Sequence, residues 1–270
     1  MLLSISKIKA FKACRRLYQL RYVENLVPVT TAEALQIGKN YHKIIEDLNN
    51  GEDIIYDEDY VGDFSKENAM ARAYMKYIYP QFHVTASEKH LEYDLGDGCI
   101  LHGYVDAIAD DGHIVEHKTT GSEITEQYEY NLMWDEQILA YMLMSGERKV
   151  WYTICRKPNI RQKHNETDED FYYRMLSWYD EDTDAKIRLL EVERTDDEVE
   201  AFRKDLESIK ATIQEAEQDH NFYKNTCHCN MWGRRCEYSS ICLHYDPNQQ
   251  YIEFIKKEDK TDGIEENRGE

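Results

Sequence analysis

The sequence is short of positive charge and of long apolar runs. Its 33 lysines and arginines face 53 aspartates and glutamates, a formal charge of −20. A chain so acidic carries no general basic coat, and a nucleic-acid partner would need a local cationic surface or metal ions to offset phosphate. Nowhere do about 18 apolar residues follow one another, which argues against a membrane-spanning helix. The opening residues MLLSISKIKAFKAC show no apolar core or cleavage site of a secretory signal, so a cytoplasmic, reducing compartment is expected. In that setting the seven cysteines read as metal ligands or core residues rather than as disulfides. No repeat of fixed period is present, and 270 residues suffice to bury a core without covalent staples.

What the sequence does contain is a change of period along the chain. Residues 4–22 read as one helix, and 31–50 and 65–80 as two more, the last stopped by Pro80. Residues 88–95, 99–109 and 113–119 read as successive strands joined by tight turns. An amphipathic helix over 130–145 follows, ended by Gly146, then a strand over 149–155. A polar stretch leading into a helix occupies 159–184, a strand 186–194 and a long charged helix 196–219. This order implies a mixed α/β core with helical additions at both ends. It divides into a helical region (1–80), a sheet core with a helical insertion (81–225), a Cys-rich segment (226–250) and a charged tail (251–270) expected to be disordered.

The strands over 99–109 and 113–119 carry charge where a buried strand should be apolar: Asp106, Glu116 and Lys118. Side chains alternate along a strand, so Glu116 and Lys118 share a face with Ile114. Asp106 lies across the DDG turn and approaches Glu116 if the register allows. A buried salt bridge is one reading, but desolvation cancels most of its Coulombic gain, and one carboxylate is left over. A divalent cation is the other: hard Mg²⁺ or Mn²⁺ takes carboxylate oxygens, water and phosphate, and acidifies the water it binds.

The pattern Gly103-Tyr-Val-Asp106, then Glu116-His-Lys118-Thr, resembles the PD-(D/E)xK nuclease superfamily. It resembles in particular its RecB-like exonuclease branch with an iron–sulfur cluster, the type seen in CRISPR-associated and phage exonuclease-like proteins. The proline of the family name is absent, Val105 standing in its place. Gln137-Ile-Leu-Ala-Tyr141 is similar to the branch's QxxxY motif, with both side chains on one helical face. Gly38-Lys-Asn-Tyr-His42 is similar to its GxxxH element. Glu46, one turn beyond His42, is placed to orient that ring. Glu92 is a further acid, more in keeping with a surface charge.

The resemblance extends to the cysteines. It implies that Cys14, ahead of the core, and Cys229, Cys236 and Cys242, behind it, hold a [4Fe–4S] cluster, with Cys227 the alternate. The relatives' C-x2-C is replaced here by C-x6-C, which keeps Zn²⁺ open as an alternative, with His228 or His244 as a further ligand. Cys99 and Cys155 sit in apolar strands and read as core. Cys14 and the later cysteines would bring together a basic rim: Lys7 to Arg21, Arg234 and Arg235, with Lys39 and Lys43 beside His42. Tyr18, Tyr22 and Trp232 would stack on bases there.

The fold so implied is a restriction-endonuclease-like mixed β-sheet core flanked by helices, with helical and Cys-rich terminal additions. The activity so implied is a Mg²⁺- or Mn²⁺-dependent DNA nuclease, foremost an exonuclease in DNA processing or recombination. His42, Asp106 and Glu116 would bind the metal, with the His117 carbonyl completing the shell. Lys118 would orient or activate water, and Gln137 and Tyr141 would support Lys118 or the DNA backbone. The partner would be DNA, single-stranded or with free ends. No GxxxxGK[ST] loop is present, so strand opening would fall to a helicase or recombination partner. Two other readings stand beside this one: a non-catalytic DNA-binding subunit of a recombination complex, and a zinc-stapled scaffold.

Overall fold

The structure is a computed structural model, and it describes residues 1–30, 33–51, 65–231, 233–243 and 253–257. In chain order the elements are β1 (Leu2–Leu3), α1 (Ile5–Ala13), α2 (Arg15–Tyr18), a π-helical turn (Gln19–Val23), β2 (Leu26–Pro28), α3 (Glu33–Asn49) and α4 (Lys66–Tyr77). Then come β3 (Val84–Asp94), β4 (Ile100–Ala109), β5 (Ile114–Thr120), α5 (Glu126–Leu132), α6 (Glu136–Ser145), β6 (Lys149–Arg156), α7 (Asp168–Glu181), β7 (Ile187–Glu193) and α8 (Asp196–Gln218). The chain closes with β8 (Asn230–Met231), β9 (Arg234–Arg235), α9 (Ser239–Leu243) and β10 (Phe254–Lys256). No helix among the described residues is long and apolar enough to cross a membrane.

The chain forms two compact units that are interleaved in sequence. The first takes Met1–Ala32, Tyr93–His102 and Ala201–Asn267, as far as these are described; the second takes Glu33–Glu92 and Gly103–Glu200. The linear partition at 80, 225 and 250 is therefore crossed. The helix bearing His42 belongs with the sheet strands, while α1 and α2 belong with the cysteine-rich segment.

In the first unit Ser4 caps α1 by accepting the Lys7 amide. The single helix expected over 4–22 is broken at Cys14, whose extended backbone (φ −165°, ψ 120°) separates α1 from α2. Periodicity cannot see this break, because the apolar face continues across it: Ala10, Cys14, Leu17 and Leu20 are all buried, with Leu26, Tyr238, Ile241 and Phe254. The Tyr238 hydroxyl donates to the Leu26 carbonyl at 2.6 Å. Strand β10 pairs antiparallel with β2, Ile255 opposite Val27. Part of the tail expected to be disordered is thus a strand, because Phe254 has an apolar pocket to fill; the rest of it lies outside the described residues.

The second unit is built on a mixed sheet. Strand β3 pairs with β4, β4 runs antiparallel to β5, β5 parallel to β6, and β6 antiparallel to β7. Successive residues of β6 serve opposite faces, as strand alternation requires. Cys155 packs with Tyr41, Ile45, Met70, Tyr74 and Tyr179 from α3, α4 and α7. Ile154 and Tyr152 pack with Ile138, Tyr141 and Met142 of α6. The sheet is therefore flanked by helices, as expected. The one helix expected over 130–145 is two: α5 stops at Leu132 with Met133 as its C-cap, and Asp135 caps α6, its carboxylate accepting the Gln137 amide at 3.0 Å.

Candidate active site

The centre arises where a ladder opens. Strands β4 and β5 pair at Ile108–Ile114 and Ala107–Val115. Continued one step, that register would bring Asp106 opposite Glu116, on a shared face, but the ladder stops at Ala107–Val115. There the side chain of Asp106 replaces the backbone as acceptor: its Oδ2 takes the His117 amide at 2.6 Å. Its other oxygen, Oδ1, lies 3.4 Å from His42 Nδ1 on α3. Burial alone would raise the Asp106 pKa, but the charge of His42, its hydrogen bond and the His117 amide outweigh it and hold the carboxylate well below its ordinary range. The same pairing raises His42 against the opposing effect of burial.

Glu116 is 4% exposed. Its Oε1 meets Lys118 Nζ at 3.1 Å, and its Oε2 is buried without a hydrogen-bond partner. Burial first, and then the charge of Asp106, raise its pKa. Lys118 is held on three sides: Gln137 Oε1 accepts from it at 2.7 Å, Glu116 faces it, and Asp135 Oδ2 lies at 3.5 Å. Burial would lower the lysine pKa, but Glu116 and Asp135 raise it above the ordinary value. Gln137 Nε2 donates to the Tyr141 hydroxyl at 2.8 Å, and that hydroxyl donates to the Tyr104 carbonyl at 2.6 Å. Gln137 and Tyr141 thus tie the lysine to the backbone two residues before Asp106. Gly103 permits this: a Cβ there would lie 3.1 Å from the Tyr141 ring.

The pattern of the PD-(D/E)XK nuclease superfamily matches residues 2–243. The chain belongs to that superfamily. Among solved structures it is similar to a candidate exonuclease from Eubacterium rectale, at 13% identity and a TM-score of 0.56, covering 91% of this chain and 88% of that one. A phage-related exonuclease from Haemophilus somnus is similar at 11% identity and a TM-score of 0.35, covering 70% and 88%. No curated protein matches. The mixed sheet with flanking helices is consistent with the restriction-endonuclease-like fold.

For a member of this superfamily the question is whether the centre suits a divalent cation. Among the described residues no group of three or more His, Cys, Asp or Glu side chains forms a ready cage. The expected ligands instead make a hydrogen-bonded network, Asp106 engaging His42 and an amide while Glu116 engages Lys118. The donors still suit such an ion. Two carboxylates are ligands that Mg²⁺ and Mn²⁺ accept, and a buried Glu116 oxygen without a partner leaves a place for a cation. The His117 side chain serves elsewhere: its Nδ1 lies 2.6 Å from Thr153 Oγ1 and its ring packs edge-on to Tyr74. Burial lowers its pKa to about 4.

Two supports of the centre escaped sequence reasoning. Asp135 holds Lys118 and accepts the Tyr152 hydroxyl at 3.3 Å; its signal was its place ahead of an apolar helix, where an aspartate caps. Thr153 carries no motif, and only the pairing of β5 with β6 sets it opposite His117. Glu46 pairs with Lys43 at 3.4 Å. Glu92 is 57% exposed and faces His90, as a surface charge does.

In the first unit burial first, and then the neighbouring Glu237, Cys229 and Cys14, raise the pKa of the Cys236 thiol. Asn225 donates its amide to Cys14 Sγ at 3.2 Å, across 211 residues of sequence. Cys229, Cys236 and Cys242 are half-buried and Cys227 is exposed. Among the described residues these thiols also form no ready metal cage. The expected basic rim is partly neutralised: Arg21 pairs with Glu237, Arg16 with Glu24, and in the second unit Lys43 with Asp47. Tyr18 is buried and donates to Glu217 at 2.7 Å, so its face is not offered to a base. Trp232 and His244 lie outside the described residues.

Proposed function

We infer that this protein is a divalent-metal-dependent deoxyribonuclease, an exonuclease acting on single-stranded DNA or free DNA ends in DNA processing or recombination in the cytoplasm. One observation carries the reading. Asp106 takes the His117 amide at 2.6 Å and lies 3.4 Å from His42, while beside that amide Glu116 has Lys118 3.1 Å from one oxygen and its other oxygen buried without a partner. His42, Asp106, Glu116 and the His117 carbonyl would hold Mg²⁺ or Mn²⁺. Bound there, the ion would supply Lewis-acid stabilisation of phosphate charge and a more acidic water. Asp106 is kept ionised by His42 and the His117 amide, so it serves as a fixed negative ligand. Lys118 stays protonated, aimed by Gln137, Glu116 and Asp135, and so positions a water or offsets charge developing on phosphate. In the first unit Cys14, Cys229, Cys236 and Cys242 would hold a [4Fe–4S] cluster. The nearness of Cys14 to residues more than two hundred positions away supports this.

End-labelled single- and double-stranded DNA, incubated with and without Mn²⁺, tests the nuclease. Metal-dependent shortening by the wild type, lost in Asp106→Ala and Lys118→Ala, is expected. Inactivity of the wild type on every substrate, with DNA binding retained, would leave a non-catalytic DNA-binding protein. A visible absorbance band in anaerobically purified protein tests the cluster, since zinc gives no such colour.

A further inference from the structure

Lys118, Lys43 and Lys210 each meet a carboxylate. Lys157 does not: among the described residues its ammonium has no ion-pair or hydrogen-bond partner, and only its backbone is anchored, the amide donating to the Thr120 carbonyl at 2.7 Å. Burial holds its pKa below the ordinary lysine value. In a chain of net charge −20, a half-buried cation without a counter-charge among the described residues is open to an anion from outside the chain.

Its surroundings say where that anion belongs. Helix α3 lies along β5, so that His42 meets the His117 ring and Gly38, one turn earlier, meets Thr119. A Cβ on Gly38 would stand 3.1 Å from Thr119 Oγ1 and 3.7 Å from Lys157 Nζ. The glycine therefore leaves room between its backbone and a hydroxyl and an ammonium that both border it. The Thr119 hydroxyl also makes no hydrogen bond among the described residues. Gly38 precedes His42 by about one turn of α3, about 5.4 Å along the helix.

We propose that Lys157 and Thr119 seat the DNA phosphate next to the one that is cleaved, Lys157 giving charge and Thr119 a hydrogen bond. This rests on the nuclease reading above. Lys157 is a positioning residue, setting the strand against the His42–Asp106–Glu116 centre and taking no part in the chemistry.

The test uses Asp106→Asn protein, which should not cut, and a fluorescein-labelled single-stranded oligonucleotide followed by anisotropy over a series of salt concentrations without divalent metal. Adding Lys157→Gln is expected to raise Kd about five- to tenfold for any base sequence and to lower the slope of log K against log salt by about 0.7 to 1. Lys157→Arg should restore both, and Thr119→Val should raise Kd a fewfold without changing the slope. In otherwise wild-type protein with Mn²⁺, Lys157→Gln should raise KM and leave kcat within about twofold. An unchanged Kd and slope in Lys157→Gln, or equal losses in Lys157→Gln and Lys157→Arg, overturns the phosphate seat while the nuclease reading stands. Failure of the Asp106→Asn protein to bind DNA at all, together with a wild type that cuts nothing, overturns both.

Discussion

In the second unit Lys118 meets Gln137, Glu116 and Asp135, and Asp106 meets His42 and an amide. In the first, the cysteine end rests on strands of two residues and a helix of five, and the Cys229 sulfur only approaches a carbonyl at 3.9 Å. The difference follows from the cost of burying each kind of group. Buried charges cost several kcal/mol unless partnered, so a charged centre has to be ordered by the protein itself. Neutral thiols cost little to bury, and so short a set of elements is marginal alone. Its order comes from Tyr238 and Ile241 in the apolar cluster and, on the proposed reading, from the cluster the thiols would hold.

The largest expected effect breaks the charged side of this comparison. Asp106→Ala should lower Mn²⁺-dependent cleavage by about 10³-fold, read in single-turnover digestion of end-labelled DNA; near-normal rates would place the chemistry elsewhere. Next comes the cysteine side. Cys236→Ala should remove visible absorbance and about 4 kcal/mol of stability, roughly 10 °C in Tm, whereas EDTA, which strips Mg²⁺ or Mn²⁺, should abolish cleavage with a much smaller thermal shift. Equal melting of Cys236→Ala and wild type would mean that the thiols hold nothing.

The third prediction concerns pH. The folded-state pKa of His117, about 4, lies below the ordinary histidine value of about 6.5. The unfolded chain therefore binds the proton more readily between these limits, and stability falls as pH drops through that window. In metal-free protein His117 should contribute up to about 3 kcal/mol of this loss, and urea titrations of His117→Gln from pH 7 to pH 4 should show a flatter dependence. A fourth, smaller effect is expected for Tyr141→Phe. Losing the hydroxyl leaves the Tyr104 carbonyl and Gln137 short of a partner, at about 1–2 kcal/mol, with a fewfold slower reaction as Lys118 loosens. The smallest is Glu92→Gln, an exposed pair with His90, expected to change stability by less than about 0.5 kcal/mol and activity by less than about twofold.

The alternation in β4 and β5 was readable because strand period and apolar residues coincide there, and Asp106, Glu116 and Lys118 stood out against it. The helix over 31–50 was readable for the same reason. Helix interruptions were not: Cys14 and Asp135 break helices without breaking the apolar stripe, since a cap is set by one side chain and its backbone angles. Nor was the burial of Tyr18, whose hydroxyl finds Glu217 nearly two hundred residues away.

By itself the sequence determined which residue types alternate on which strand, hence the class of core and the superfamily to which the chain belongs. Only the tertiary structure decided that Asp106 spends one oxygen on the His117 amide, that Asp135 and Gln137 share Lys118, and that Thr119 and Lys157 both border Gly38. Those contacts depend on strand register and on where each helix crosses the sheet. Both are set by the packing of side chains distant in the chain, which local periodicity does not encode.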